Sequence, residues 1–144
     1  MPNASASVIR SAISTQLAAV TELKGGAYVG RTSQFTGFPC VRFYLSAIQE
    51  QKDLEDTANS YRYYVYTLDI LMSGAIQGVS KAASEAEFED AVDAVLDRFT
   101  THFTLGGVVE HVSIEPSQIR YEEGPQGVLV YLPLTLYAKT FISV

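Results

Sequence analysis

The two histidines are the first residues to consider for chemistry, because imidazole binds metals and exchanges protons near neutral pH. His102 falls near the end of a predicted helix and His111 inside a predicted strand. Neither belongs to a spacing such as HExxH, which places two ligands on one helix face. A cation at a helix C-terminus suits the helix dipole, which accounts for His102 without a metal. We therefore expect no metal site and no cofactor.

A nucleophilic or phosphate-binding site is not predicted either. Cys40 is the single cysteine, and it follows a proline at the start of a predicted strand, where a small buried thiol is the expected role. A lone cysteine cannot form an internal disulfide. The GxSxG, GxGxxG and GxxxxGK[ST] patterns do not occur in the sequence. We accordingly expect the protein not to be an enzyme.

Carboxylate side chains raise the alternative that the chain is a small-ligand or enzymatic domain. Glu89, Asp93 and Asp97 recur every four residues on a predicted helix, which is typical of a solvated face. A small-ligand or enzymatic domain would instead use a cleft between helices and sheet, with Asp69 or Glu110 as acid or base. Mass in solution separates such a domain, which can work alone at this size, from a subunit that must associate with other copies.

Aromatic residues are concentrated in residues 60–72, SYRYYVYTLDILM, which alternate as in a strand buried on one face. The opposite face carries Tyr61, Tyr63 and Val65, which are too apolar for a surface that meets only water. Either these side chains pair across strands within one chain, or they form part of a subunit interface. We include them among the candidate interface residues.

The turn-rich segment of residues 30–39 carries two phenylalanines, Phe35 and Phe38. A loop that met only solvent would have little reason to hold them. Either they fold back onto the core, or they anchor a neighbouring subunit. They are therefore candidate interface residues as well.

Residues 49–59 form an acidic segment between two strands and are too long for a tight turn. The segment is predicted to be the tip of a long projecting hairpin arm. Asp53, Leu54, Glu55 and Asp56 are its candidate interface residues, because a neighbouring subunit could supply cations to the acids and a pocket to the leucine. The alternative is a solvated tip without a partner.

The remaining pattern supplies the elements that position these residues. Residues 5–24 are predicted to form a helix that ends at a glycine cap in residues 24–26. A second helix begins at a capping box of Ser84 and Glu87 and ends at residues 105–107. Strands are predicted over residues 27–29, 40–48, 60–72, 108–114, 119–122 and 128–142.

The order α-β-β-β-α-β-β-β predicts a single α+β domain over residues 1–144. An antiparallel or mixed sheet would carry two amphipathic helices on one face, with the hairpin arm projecting from it. Pro133 lacks an N–H, which predicts a bend, a bulge or a sheet edge at that position.

The composition excludes two partner classes. With 47% hydrophobic and 18% charged residues in 144, the chain is typical of a globular protein, and its apolar runs are too short for a membrane span. A net charge of −6 does not favour binding to the phosphate backbone of nucleic acid. The N-terminal residues lack the features of a signal peptide, which predicts assembly in the cytoplasm.

The order and texture of these elements resemble the tail terminator (tail completion) proteins of long-tailed bacteriophages. The resemblance rests on the helix VIRSAISTQLAAV, the loop and strand ending FPCVRFYL, the acidic arm, the strand YRYYVYTLDILM, the Ser-capped helix and the closing strands. It covers nearly the whole chain and involves no catalytic motif.

The resemblance implies an α+β subunit of a homohexameric ring at the head-proximal end of the virion tail. Such a ring ends the tail tube and offers a joining surface to the neck, so the implied partners are the tail tube protein and a neck or stopper protein. DNA would pass through the lumen without specific binding. Another neck or stopper subunit of the same particle is the closest alternative.

Overall fold

Two helices and six strands follow one another in the predicted order in the computed structural model, which describes residues 3–32, 35–52, 60–74, 83–124 and 127–142. The helices are α1 (Ala6–Ala18) and α2 (Glu85–Thr101). The strands are β1 (Ala27–Val29), β2 (Cys40–Gln51), β3 (Tyr61–Gly74), β4 (His111–Pro116), β5 (Arg120–Gly124) and β6 (Gly127–Phe141).

The strands form one mixed sheet in the order β1-β2-β3-β6-β4, and β5 pairs with β6 beyond the end of β4. The pairing of β1 with β2 is parallel, and all the other pairings are antiparallel. Both helices pack against one face of this sheet. The predicted α+β architecture is confirmed.

The main core lies between the helices and the sheet. Ile9, Ile13 and Leu17 of α1 face Phe88, Ala91, Val95 and Phe99 of α2 and the inward residues of the central strands, among them Phe43, Tyr66, Leu68, Ile70, Leu134 and Leu136. The Tyr66 hydroxyl donates to the carbonyl of Ala6 at 2.8 Å. The buried ring therefore satisfies its polar atom against the start of α1.

The first helix is shorter than predicted. Ser5 caps its start, accepting from the N–H of Val8, but the helix ends at Ala18 and not at residue 24. Residues 19–26 continue as turns, and these bury Val20 and Leu23 in the same core. The apolar spacing continued past the helix because turns can also present side chains to the core.

The second helix begins as predicted. Ser84 accepts from the N–H of Glu87 at 3.1 Å, and the Glu87 carboxylate accepts from the N–H of Ser84 at 3.2 Å, which completes the capping box. The helix ends at Thr101 with His102 as its C-cap, a few residues before the predicted stop. Gly106 and Gly107 adopt φ values of 72° and 90° in the turns that follow.

The hairpin of β2 and β3 is long, and its ladder extends to the pair Gln51 and Tyr61. Strand β6 accompanies β3 to the same level, where Tyr61 pairs with Phe141. The base of the arm is therefore three-stranded. Residues 49–51, predicted as part of the tip, instead continue β2, and the rest of the tip from residue 53 to 59, with Asp53, Leu54, Glu55 and Asp56, lies outside the described residues.

Pro133 lies within a central strand, paired with Asp69, and the register shift between β3 and β6 comes further along, between Leu71 and Ser73. The Pro133 carbonyl accepts from the N–H of Ser117 at 2.9 Å, on the side of β6 where β4 ends and β5 has not begun. The N–H and carbonyl of one strand residue point to the same side. The missing donor therefore faces the break between β4 and β5, and β6 stays regular.

Candidate subunit interface

The sheet face away from the helices is divided into two halves. The loop after β1 covers one half, where Phe35 and Phe38 pack with Cys40, Leu71 and Leu129 in a second apolar cluster. Phe35 is 2% exposed and Phe38 7%. Of the two alternatives for these rings, folding back onto the core is the one observed. Their burial within one chain accounts for them, so they are not exposed anchors for a neighbouring subunit.

Contacts between aromatic rings hold this loop on the sheet. Tyr28 and Phe35 meet edge to face, with ring centroids 5.1 Å apart. The hydroxyl of Tyr28 is 2.9 Å from that of Thr36. The backbone of Gly25 also donates to the Pro39 carbonyl at 2.9 Å. The loop is therefore fixed in its middle, at Phe35 and Thr36, and at its end, at Pro39.

A buried ion cluster lies next to the loop, on the same face. The Arg42 Nε donates to the Asp69 Oδ2 at 2.8 Å, across the ladder of β2 and β3. The other guanidinium nitrogens donate to both carboxylate oxygens of Glu122 at 3.2 Å and to the carbonyl of Thr32 at 2.9 Å. The Tyr131 ring covers the guanidinium at 4.9 Å. Arg42 thereby joins β2, β3, β5 and the loop.

The pKa values of this cluster follow from its burial and its charges. Burial lowers the pKa of Arg42. The hydrogen bonds to Glu122 and Asp69 outweigh this effect, so the pKa of Arg42 lies above its usual value. Burial raises the pKa of Asp69, and the ion pair with Arg42 acts against that rise. Burial also raises the pKa of the Cys40 thiol to about 12, although Arg42 lowers it slightly. Cys40 is therefore a packed thiol without nucleophilic character.

The other half of this face carries the tyrosine surface, which we define as Tyr61, Tyr63, Tyr137 and Lys139. Tyr61 and Tyr63 meet edge to face at 5.4 Å, and Tyr63 and Tyr137 at 6.5 Å. The Lys139 ammonium lies 4.3 Å from the centre of the Tyr61 ring. All four side chains remain partly exposed. Cross-strand pairing and an exposed aromatic surface therefore coexist here.

Val65, the third strand residue predicted for the interface, is 6% exposed. It pairs with Ala47 on one side and Tyr137 on the other. The residue supports the tyrosine surface from within the sheet and offers a partner little area of its own.

Charged side chains order the base of the arm. The Arg62 Nε donates to a Glu50 carboxylate oxygen at 2.6 Å, and Lys52 approaches the same carboxylate at 3.3 Å. Arg62 and then Lys52 lower the pKa of Glu50. These pairs lie on exposed strands, where each contributes little to stability.

The residues of the rival enzymatic interpretation are not brought together. Asp69 is bonded to Arg42 within the sheet, whereas Glu110 is exposed in the turn before β4. Neither lines the groove beside α1 or the groove beside β4. The described residues contain no group of three metal-ligating side chains. No helix in the described part of the chain is long and apolar enough to cross a membrane.

Sequence reasoning missed two members of this face. Tyr137 and Lys139 alternate with Leu136 and Ala138 in β6, so the sequence indicates which face of the sheet they occupy. Their proximity to Tyr61 and Tyr63 depends on the register of β3 against β6, which the sequence does not give. The pairing of Arg42 with Glu122 spans 80 residues. No local sequence pattern predicts a contact between two residues so far apart in the chain.

A scan of protein-family models and a search of curated proteins both gave no match to this chain.

Proposed function

We propose that this protein is a tail terminator: a subunit of a ring, six-fold by the resemblance, that caps the tail tube of a long-tailed bacteriophage and joins it to the neck. The observation that carries the proposal is the half-covered face of the sheet. Helices cover most of one face, the loop covers half of the other, and the tyrosine surface occupies the rest.

The composition of the tyrosine surface is that of a protein contact. Tyrosine is enriched at interfaces because its ring excludes water while its hydroxyl still finds a partner. Rings on neighbouring strands also lose little conformational freedom on binding, since Tyr63 is already in contact with Tyr61 and Tyr137. The surface supports docking of another protein chain of the tail.

The rigidity of the surface suits a mechanical role. Its residues lie on β3 and β6, the two longest strands, which pair along almost their full length. The Arg42 cluster locks the opposite end of the same strands to the loop and β5. A surface built on paired strands holds its side chains in place more precisely than one built on loops.

The charge of the chain suits a channel for DNA. Each copy carries a formal net charge of −6, so a ring of copies repels the phosphate backbone and gives it no binding site. DNA would therefore pass through the ring without being held.

Electron microscopy of the purified protein with and without isolated tail tubes tests the proposal. We expect rings at one end of the tubes in the mixture, and tubes that stop growing where the ring sits. The control variant Tyr63→Phe keeps the ring contacts and should cap the tubes, whereas Tyr63→Asp should not. Binding to neck proteins without binding to tubes would instead indicate a neck or stopper subunit, and binding to neither would refute a role in the tail.

A further inference from the structure

The exposed large hydrophobic side chains lie at the two edges of the sheet. Among the described residues, four of them accompany the edge formed by β1 and β2: Val8, Val29, Leu45 and Ile48. The other four accompany the edge formed by β4 and β5: Phe103, Ile119, Tyr121 and Val128. A surface that met only water would scatter such residues, so their segregation points to contacts along the edges.

The first of these is the near edge, which we define as residues 44–51 of β2. Strand β1 pairs only with residues 41–43, and in the described chain the rest of β2 pairs with β3 alone. A register shift between Leu45 and Ala47 keeps Leu45 and Ile48 on the helix side of the sheet, opposite Tyr66 and Tyr64. This edge is long and not blocked by proline, and it exposes the apolar side chains of Leu45 and Ile48, a combination that folded proteins normally cover.

A groove runs along the near edge. It has a volume of about 400 Å³ and lies between the first turn of α1 and the strands, with Ala6, Arg10, Val29, Leu45 and Tyr66 in its wall. Its lining is mainly apolar, and the one charged side chain in the wall is basic. Arg31, whose guanidinium lies 4.4 Å from the centre of the Tyr44 ring, adds a second cation beside it.

The far edge, which we define as β4 and β5, lies on the opposite side of the sheet. Within the described chain both strands pair only with β6. The N–H of Val112 already donates to the Phe103 carbonyl at 2.7 Å, and Pro116 at the end of β4 has no N–H, so the open part of β4 is the short stretch around Ile114. A groove of about 370 Å³ lies beside β4, lined by Phe99, Phe103, Val112 and Ile114.

The charges of the two edges are complementary. Arg10 and Arg31 accompany the near edge, where the acid Glu50 is already paired with Arg62 and Lys52. Three exposed acids, Glu110, Glu115 and Glu123, accompany the far edge against one exposed cation, Arg120, and none of these four forms an ion pair with another described residue. Two edges of opposite charge on one chain select each other and disfavour pairing of like edges.

We propose that the near edge of one copy binds the far edge of the next, so that copies join head to tail through a continuous sheet. Strands β2 and β4 run antiparallel to each other in the sheet. A rotation about an axis along the strands preserves these directions, so β4 of the next copy meets β2 antiparallel, as an added strand requires. Repetition of such a heterologous contact gives a ring when its rotation closes, as in the proposed six-fold ring. This inference rests on the proposed ring and names the contact that builds it.

Two blocked variants test the contact. The near-blocked variant carries Leu45→Lys and Ile48→Lys, and the far-blocked variant carries Ile119→Lys and Tyr121→Lys, all at exposed positions. Light scattering over a range of concentrations should show the wild-type chain associating and each blocked variant monomeric. Mixing the two variants in equal amounts should give a dimer and nothing larger, because only one intact pair of edges remains. Ala18→Lys, at the exposed end of α1, is the matched control and should associate normally.

Dimers in the mixture would also show that both variants are folded, since each variant must supply one intact edge. Association of either blocked variant on its own, a mixture that stays monomeric, or a wild-type chain that stays monomeric at every concentration would overturn the inference. Tail tubes separate this failure from that of the proposed function. A doubly blocked chain that still caps tubes with rings leaves the tail role standing, whereas a wild-type chain that never binds tubes removes that role whatever the edges do.

Discussion

Arg42 and Asp69 face each other across the ladder of β2 and β3, with 2.8 Å between Nε and Oδ2 and side chains that are 5% and 1% exposed. Their partner Glu122 is 40% exposed at its side chain, so it reaches water while they do not. Removing either buried charge should therefore lower the stability of the fold the most, whereas removing the charge of Glu122 should lower it less.

Removal of the cation alone should destabilise the protein strongly. We expect Arg42→Met to lower the free energy of unfolding by about 3–5 kcal/mol, because it leaves the Asp69 carboxylate buried without its partner. Urea unfolding measures the loss. The double variant Arg42→Met with Asp69→Leu should recover part of it, and Glu122→Gln should cost no more than about 1 kcal/mol. Losses that simply add in the double variant would show that the two charges are not coupled.

Gly25 should not tolerate a side chain, whereas Gly37 should. A Cβ on Gly25 would lie 2.0 Å from the Gly37 carbonyl oxygen, but a Cβ on Gly37 would have its nearest contact at 3.4 Å. We expect Gly25→Ala to cost about 1–3 kcal/mol by overpacking and Gly37→Ala to cost clearly less. Thermal unfolding of both variants makes the comparison. Equal losses would mean that the two backbones separate easily.

These two glycines show what the sequence can and cannot predict. Periodicity predicted the order of all eight elements and the start of α2, because those signals are local. Gly25 was interpreted as part of a helix cap, but its role depends on contact with a loop that arrives from twelve residues later. Phe35 posed the same difficulty, since composition marked it as unusual but could not choose between the core and a partner.

The Phe35 ring should now behave as a core residue. We expect Phe35→Ala to lower the free energy of unfolding by about 3–5 kcal/mol, because it opens a cavity beside Cys40 and Leu71. Phe103→Ala is the control, since that ring is 47% exposed and should cost much less. Urea unfolding of the two variants decides. A small loss at Phe35 would return this residue to the candidate interface.

Glu87 should make the fold sensitive to acid. Its hydrogen bond with Lys24, followed by those with Ser84, lowers the pKa of the carboxyl to about 2 from an ordinary value of 4.5. A folded pKa below the unfolded one stabilises the fold above about pH 4.5, and this contribution is lost as the pH falls towards 2. The difference in Tm between wild type and Glu87→Gln should therefore be largest near neutral pH and shrink over that window. It should also be smaller throughout in a Lys24→Met background, and an unchanged difference there would remove Lys24 as the cause.

Tyr63 should matter more for association than for folding. Its ring is partly exposed between Tyr61 and Tyr137, so Tyr63→Asp loses two edge contacts of the ring but buries no charge. Such ring pairs contribute about 0.5–1.5 kcal/mol each, which bounds the expected loss in stability. A charge at the centre of a protein contact costs more than that in binding, because it must lose its water. Co-sedimentation with tail tubes should therefore fall by more than tenfold for Tyr63→Asp and little for Tyr63→Phe. A Tyr63→Asp chain that melts earlier but binds tubes as well as wild type would assign these rings to cross-strand packing alone.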